Sequence, residues 1–383
     1  MRIFVLSAAA LLIFAAAPTT CAASVSPGIY GEDIPDSDRL LEEQYEASGA
    51  DSLYDALPDD VVYSLRRAGV DIRSGANGQS PDTEELFRSL RDTLSDAAGE
   101  PLKACLAMCA VIMICAITCG MTGQQGGAGV SETVGTVVTA ASCCVVITPA
   151  ALHIERCADA LSGINTFAQA IIPVMCSFLL ISGGGGAAAL MTSAAGIFSL
   201  AADSGLLSLL RMYLALSCVS SVSGILKIDG LLAVVEKNIK WALTLAATVF
   251  LGLLSAFCAS AAAADRLGYR TFRLIISGSV PIIGGIVGDA LGSLKSCMLL
   301  LRSSVSGFGI LAVSFMLIPP IVRTVLWRLS LELCAAAAGM FGVKSAEKLL
   351  ACCAGVMDIL LSFLVFTGVI LLGTLACTAG GSL

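Results

Sequence analysis

WALTLAATVFLGLLSAFCASAAAADRLGYRTFRLIISGSVPIIGGIVGDALGSLKSCMLLL, residues 241–301, decides the class of fold. Its first half, Trp241 to Ala264, is uncharged, apolar and about as long as a helix needs to be to cross a bilayer. A basic turn is expected next, because Asp265 to Arg273 carries Arg266, Arg270 and Arg273 against one acid. The chain then becomes apolar again, interrupted by Pro281 and crowded with Gly284, Gly285, Gly288 and Gly292, which reads as a return into lipid. Gly284, Gly288 and Gly292 fall four apart, so a helix would stack them on one stripe open to close backbone approach. Asp289 sits beside that stripe. A carboxylate at membrane depth is costly unless paired, protonated or facing water, which marks it as a functional candidate. The same Pro and Gly residues also suit an interfacial loop with a solvated Asp.

Composition extends this reading to the whole chain. With 383 residues, 57% hydrophobic, 13% charged and a mean hydropathy of +0.89, the sequence lies outside the range of soluble globular domains. The expected fold is all-α: a polytopic helical membrane protein of six to eight spans. Three parts are expected: a signal peptide over 1–23, an acidic exported segment with short helices over 24–102, and a multipass membrane domain over 103–383.

The leader reading rests on Met1-Arg2, the short apolar core Ile3 to Ala17 and the small residues ending at Ala23, where cleavage is expected. Between Ser24 and Leu102 there are 18 acids against 6 arginines, and the whole chain carries −7. Such a segment would be repelled by nucleic acid and by anionic lipid surfaces alike, so no nucleic-acid partner is expected. Its best-marked helix starts at Ser80-Pro81-Asp82 and should stop at Gly99-Glu-Pro101. Asp59 to Ala68 and Asp38 to Ala47 are two further amphipathic candidates, expected to lie on the membrane part or on a partner. A mobile acidic stalk is the alternative.

In the membrane part, Leu106 to Met121, Val134 to Leu152 and Thr166 to Ile181 read as three runs, with polar breaks at Gly123 to Glu132 and His153 to Asp159. Four glycines, Gly183 to Gly186, separate these from Ala187 to Ala202, and Leu206 to Leu226 follows. Lys227 to Lys240 is amphipathic and is placed at the interface. Gly307 to Leu326 and Ala351 to Cys377, with Asp358 inside it, complete the series.

Catalytic signatures are weak. His153, the chain's one histidine, belongs to no His-Glu-x-x-His motif and reads as an interfacial residue. Asp289 and Asp358 raise the idea of an intramembrane carboxylate pair, but Ile286 stands where the Gly-x-Gly-Asp motif needs its first glycine. No phosphate-binding Gly-x-x-x-x-Gly-Lys-Ser occurs. The chain is therefore expected not to be an enzyme and to use no cofactor. The 16 cysteines avoid the acidic segment, and most lie in apolar runs as small hydrophobes. Cys105 with Cys109, and Cys115 with Cys119, have the spacing of a helix face, yet a thiolate would have to ionise in lipid, so no metal site is expected. Helix-packing or pore candidates are Pro281, Gly284, Gly285, Gly288, Asp289 and Gly292. Candidate charge partners are Arg328 with Glu332, four apart on one face, and Arg323 with Asp289.

The run Lys240, Trp241, Leu243, Thr244, Phe250, Gly252, Leu253, Leu254 and Ser255, followed by Ser279-Val-Pro-Ile-Ile-Gly-Gly-Ile-Val-Gly-Asp-Ala290, resembles the membrane region of the stage III sporulation protein AE family. Leu57-Pro58, the series of spans and the leader fit that family's layout too. The resemblance implies a membrane-embedded conduit or platform in the secretion-like channel assembly that joins mother cell and forespore during endospore formation. It implies a multipass location in the mother-cell membrane around the forespore. Implied partners are membrane lipid and the other stage III sporulation A proteins, including a cytoplasmic ATPase and intermembrane ring proteins, with room for a homo-oligomer. The residues by themselves leave a stand-alone secondary transporter of a small solute as the alternative.

Overall fold

The computed structural model describes residues 52–67, 83–125, 128–181, 205–222, 229–279 and 284–380, with a few positions between 188 and 196; the side chains of 119–143 and 257–300, and scattered others, are outside the description. The expected leader, Asp38 to Ala47, Pro281 and the Gly183 to Gly186 break all lie outside the described residues.

Among the described residues every regular element is a helix. They are α1 (Ser52–Asp55), α2 (Asp59–Arg67), α3 (Thr83–Gln125), α4 (Ala128–Ile181), α5 (Gly205–Val222), α6 (Asp229–Ser279), α7 (Gly284–Met340) and α8 (Lys344–Gly380). Five segments in them are long and apolar enough to cross a membrane: Gly99–Thr118, Cys144–Leu180, Gly230–Leu254, Leu301–Met340 and Ala346–Ala376. Their exteriors are apolar as well as their interiors. Leu102, Leu106, Ile114 and Ile117 face outward on α3 while Cys105, Met108 and Ile112 face inward. A helix apolar all round belongs in lipid or in a deep core, and among the described residues these outer faces are left exposed.

The helices are longer than the sequence segmentation predicts. His153 to Asp159 does not break the chain: α4 runs straight through it for 54 residues. Two charges there meet neighbouring helices, Arg156 pairing with Glu100 and Glu155 lying 4.0 Å from Arg211, all with side chains 40–57% exposed. Nor do Gly99 and Pro101 end the preceding helix, since α3 passes both. Proline removes one backbone bond, a loss that packing against a neighbour can offset. Residues 265–273, expected as a turn, are helical backbone within α6.

At the centre α8 packs on α4, α5, α6 and α7, and its α7 contact is the most extensive. The α7 and α8 pair is antiparallel, with Ser306 Oγ donating to the Leu375 carbonyl at 2.7 Å far from the connection. Gly342, at φ 75°, forms that connection. Val343 N–H bonds the Ala338 carbonyl at 3.0 Å and Gly342 N–H the Gly339 carbonyl at 3.1 Å, the paired bonds of a Schellman cap that favours glycine at the left-handed position. From the acidic segment, Leu53, Leu57, Val61 and Leu65 are buried in the same core as the spans, and Tyr54 meets Phe308 at 5.1 Å between ring centroids.

Candidate functional site

Two helix-face ion pairs flank α8. On α6, Lys240 Nζ lies 2.5 Å from Glu236 Oε1, and on α7, Arg328 Nη2 lies 3.0 Å from Glu332 Oε1, each pair set by the four-residue spacing that brings side chains onto one face. Asp358 of α8 stands between them. Its Oδ2 accepts from Lys240 Nζ at 2.9 Å, and its Oδ1 is 2.7 Å from Arg328 Nε. The single Nε hydrogen of Arg328 is directed at Glu332 Oε1, 3.1 Å away, so Oδ1 is held by charge and receives no aligned hydrogen bond.

The result is a five-member network of three carboxylates and two cations joining three spans. Lys240, Arg328 and Asp358 keep only 17%, 14% and 13% of their side-chain surface, whereas Glu332 is half exposed. Glycine makes the close fit possible on one side. A Cβ at Gly355 would come within 2.9 Å of Glu236 Oε2 and 3.5 Å of Tyr213 Oη, so the bare backbone of α8 is what admits α6's carboxylate and α5's phenol. Removing ions from water is expensive, and such a network persists because each charge is met by another.

A second polar centre joins α4 to α7. His153, expected at the membrane interface, is 2% exposed, packed between helices. Its Nε2 is 3.0 Å from Thr324 Oγ1 and 3.6 Å from Cys157 Sγ, and its ring stacks on Trp327 with centroids 6.0 Å apart. Thr324 already donates to the Pro320 carbonyl at 2.7 Å, so the imidazole Nε2–H is the donor in the His153 to Thr324 bond. Nδ1 is then an acceptor buried without a partner.

Asp358 faces two cations, the reverse of what a proton-sharing carboxylate pair requires. Gly284, Gly285, Gly288, Asp289 and Gly292 fall in the first turns of α7, with their side chains outside the description. Arg323 and Asp289 lie on that same helix, 34 residues apart, and the expected pairing falls on a side chain outside the described residues. Arg323 adjoins Thr324, whose hydroxyl meets His153. Glu236 with Lys240 was missing from the expected charge partners, although its four-residue spacing is visible in the sequence. Its link to Asp358 leaves no local signal.

The family profile described as stage III sporulation protein AE matches residues 71–382, which takes in α3 to α8 and both polar centres. A stage III sporulation protein AE from Bacillus subtilis (strain 168) is 29% identical over 163 residues, covering 41% of this chain and 40% of that relative's length. No solved structure matches the chain. With the profile spanning nearly the whole helical bundle, the chain belongs to the stage III sporulation protein AE family.

Proposed function

We propose that this protein is a membrane-embedded component, conduit or platform, of the secretion-like channel assembly between mother cell and forespore that endospore formation requires. The family match across the bundle carries this reading. What supports it physically is that every described regular element is a helix, with apolar outer faces on the spans and Lys240 and Arg328 of two spans turned onto Asp358 of a third, a construction suited to sitting in lipid and holding parts in register. Its partners would be the other stage III sporulation A proteins, including the cytoplasmic ATPase and the intermembrane ring proteins. The acidic segment 24–102 would face the intermembrane space, and the protein would reside in the mother-cell membrane around the forespore. Neither the family description nor the relative's name points to solute transport by a single chain.

The test is deletion of the gene in an endospore-forming host, with a tagged copy returned. Arrest after engulfment, restoration by the tagged copy, fluorescence around the forespore and co-purification with the sibling proteins are expected. Normal spore yield in the deletion strain, or a tagged protein that restores sporulation in the absence of those siblings, would overturn the reading.

A further inference from the structure

Three thiols from two distant segments converge where α3 meets α7. Cys334 Sγ is 3.7 Å from Cys105 Sγ and 3.6 Å from Cys109 Sγ, and all three sulfurs lie within 4.8 Å of one another. Cys105 and Cys109 share a face of α3, whereas Cys334 arrives from α7 and is fully buried. Packing fixes this meeting. Ser330, one turn before Cys334, reaches the Pro101 carbonyl, one turn before Cys105, at 3.5 Å.

We propose that Cys105, Cys109 and Cys334 form a binding site for one soft, thiol-seeking d10 cation of the Cu(I) class. The geometry is already close to a coordination triangle. A point equidistant from the three sulfurs lies at most about 2.4 Å from each, against about 2.3 Å for a thiolate–zinc bond, so an ion fits between them with shifts of a few tenths of an ångström. Donor type and number select the ion. Sulfur-only donors favour Cu(I) over hard cations, and zinc in a closed site takes four ligands where this cluster offers three. Coordination takes thiolates, so each S–H bond is exchanged for an S–Cu bond and its proton leaves to buffer. No electron moves. Cys109, only half-buried, is the way in.

The experiment uses the full-length protein purified in detergent under anaerobic conditions, loaded with Cu(I) as its acetonitrile complex and titrated with a coloured Cu(I) chelator. The parent should retain one ion that resists the chelator. Cys334→Ser should weaken that retention by more than about a hundredfold, beyond what loss of an outer partner costs a metal site, and Cys105→Ser should act likewise. Cys144→Ser, an exposed thiol outside the cluster, should bind as the parent does. Retention unchanged in Cys334→Ser, or equally lost in Cys144→Ser, would overturn the proposal. Should the cluster variants fail to fold, X-ray absorption of the loaded parent decides: three sulfurs around copper support the site, and oxygen or nitrogen coordination, or no tight ion at all, refutes it.

Discussion

Lys240 Nζ stands 2.9 Å from Oδ2 of Asp358, 118 residues further along the chain, and the same carboxylate has Arg328 on its other oxygen. One carboxylate thereby bridges cations on two neighbouring helices, each of which has a second acid, Glu236 or Glu332, beside it. The three residues should not be equally sensitive to change.

Asp358→Asn leaves Lys240 with Glu236 and Arg328 with Glu332, so it removes the bridge without stranding a cation and should cost about 1–3 kcal/mol. Lys240→Met should cost more, roughly 3–5 kcal/mol, because it leaves the network's three carboxylates with Arg328 as their one cation. Thermal unfolding of the purified variants in detergent measures both. The reverse order would mean that the bridge at Asp358, rather than charge balance, holds the network.

Gly309 and Gly252 separate packing from helix propensity. A Cβ at Gly309 would lie 2.4 Å from Ile171 Cδ1 and 3.3 Å from Leu375 Cδ1, both buried side chains, whereas Gly252 has nothing within 4 Å. Gly309→Ala is expected to destabilise by about 1–3 kcal/mol through overpacking. At the open site Gly252→Ala should be neutral or stabilising by up to about 1 kcal/mol. Midpoint temperatures of the two variants, compared side by side, test the contrast.

The two tryptophans report which surface meets lipid. Trp241 is 66% exposed on the apolar face of α6, and Trp327 is 3% exposed beneath His153. In vesicles containing brominated lipid, the Trp327→Phe variant should remain strongly quenched. Trp241→Phe should emit nearly unquenched. Equal quenching of both variants would contradict the described packing.

Glu100 and Arg156 pair across α3 and α4 with 50% and 40% of their side chains exposed. Exposed pairs contribute little, so Glu100→Gln should change stability by no more than about 1 kcal/mol. A larger loss in the same unfolding assay would show that this pair is shielded, by lipid or by a partner.

Much of this was legible in the sequence and some was misleading there. Apolar runs long enough to cross a bilayer mark the helices directly, because burial in lipid is a property of composition over some twenty residues. Helix ends were harder. Pro101 and the polar segment at His153 look like breaks, yet Glu100, Arg156 and Thr324 supply partners from other helices and the backbone continues. The burial of His153 left no signal for the same reason: its Thr324 contact sits on α7, 171 residues away.

What the sequence determined alone is an all-helical, lipid-facing chain of this family, with Glu236 and Lys240, Arg328 and Glu332, and Cys105 and Cys109 each brought together by the turn of a single helix. Only the tertiary structure decided that Asp358 lies between the two ion pairs and that Cys334 completes the thiol cluster. Spacing along one helix fixes neighbours by periodicity. Which face meets which is fixed by packing between helices, through bare positions such as Gly355, and residues hundreds apart carry no local trace of it.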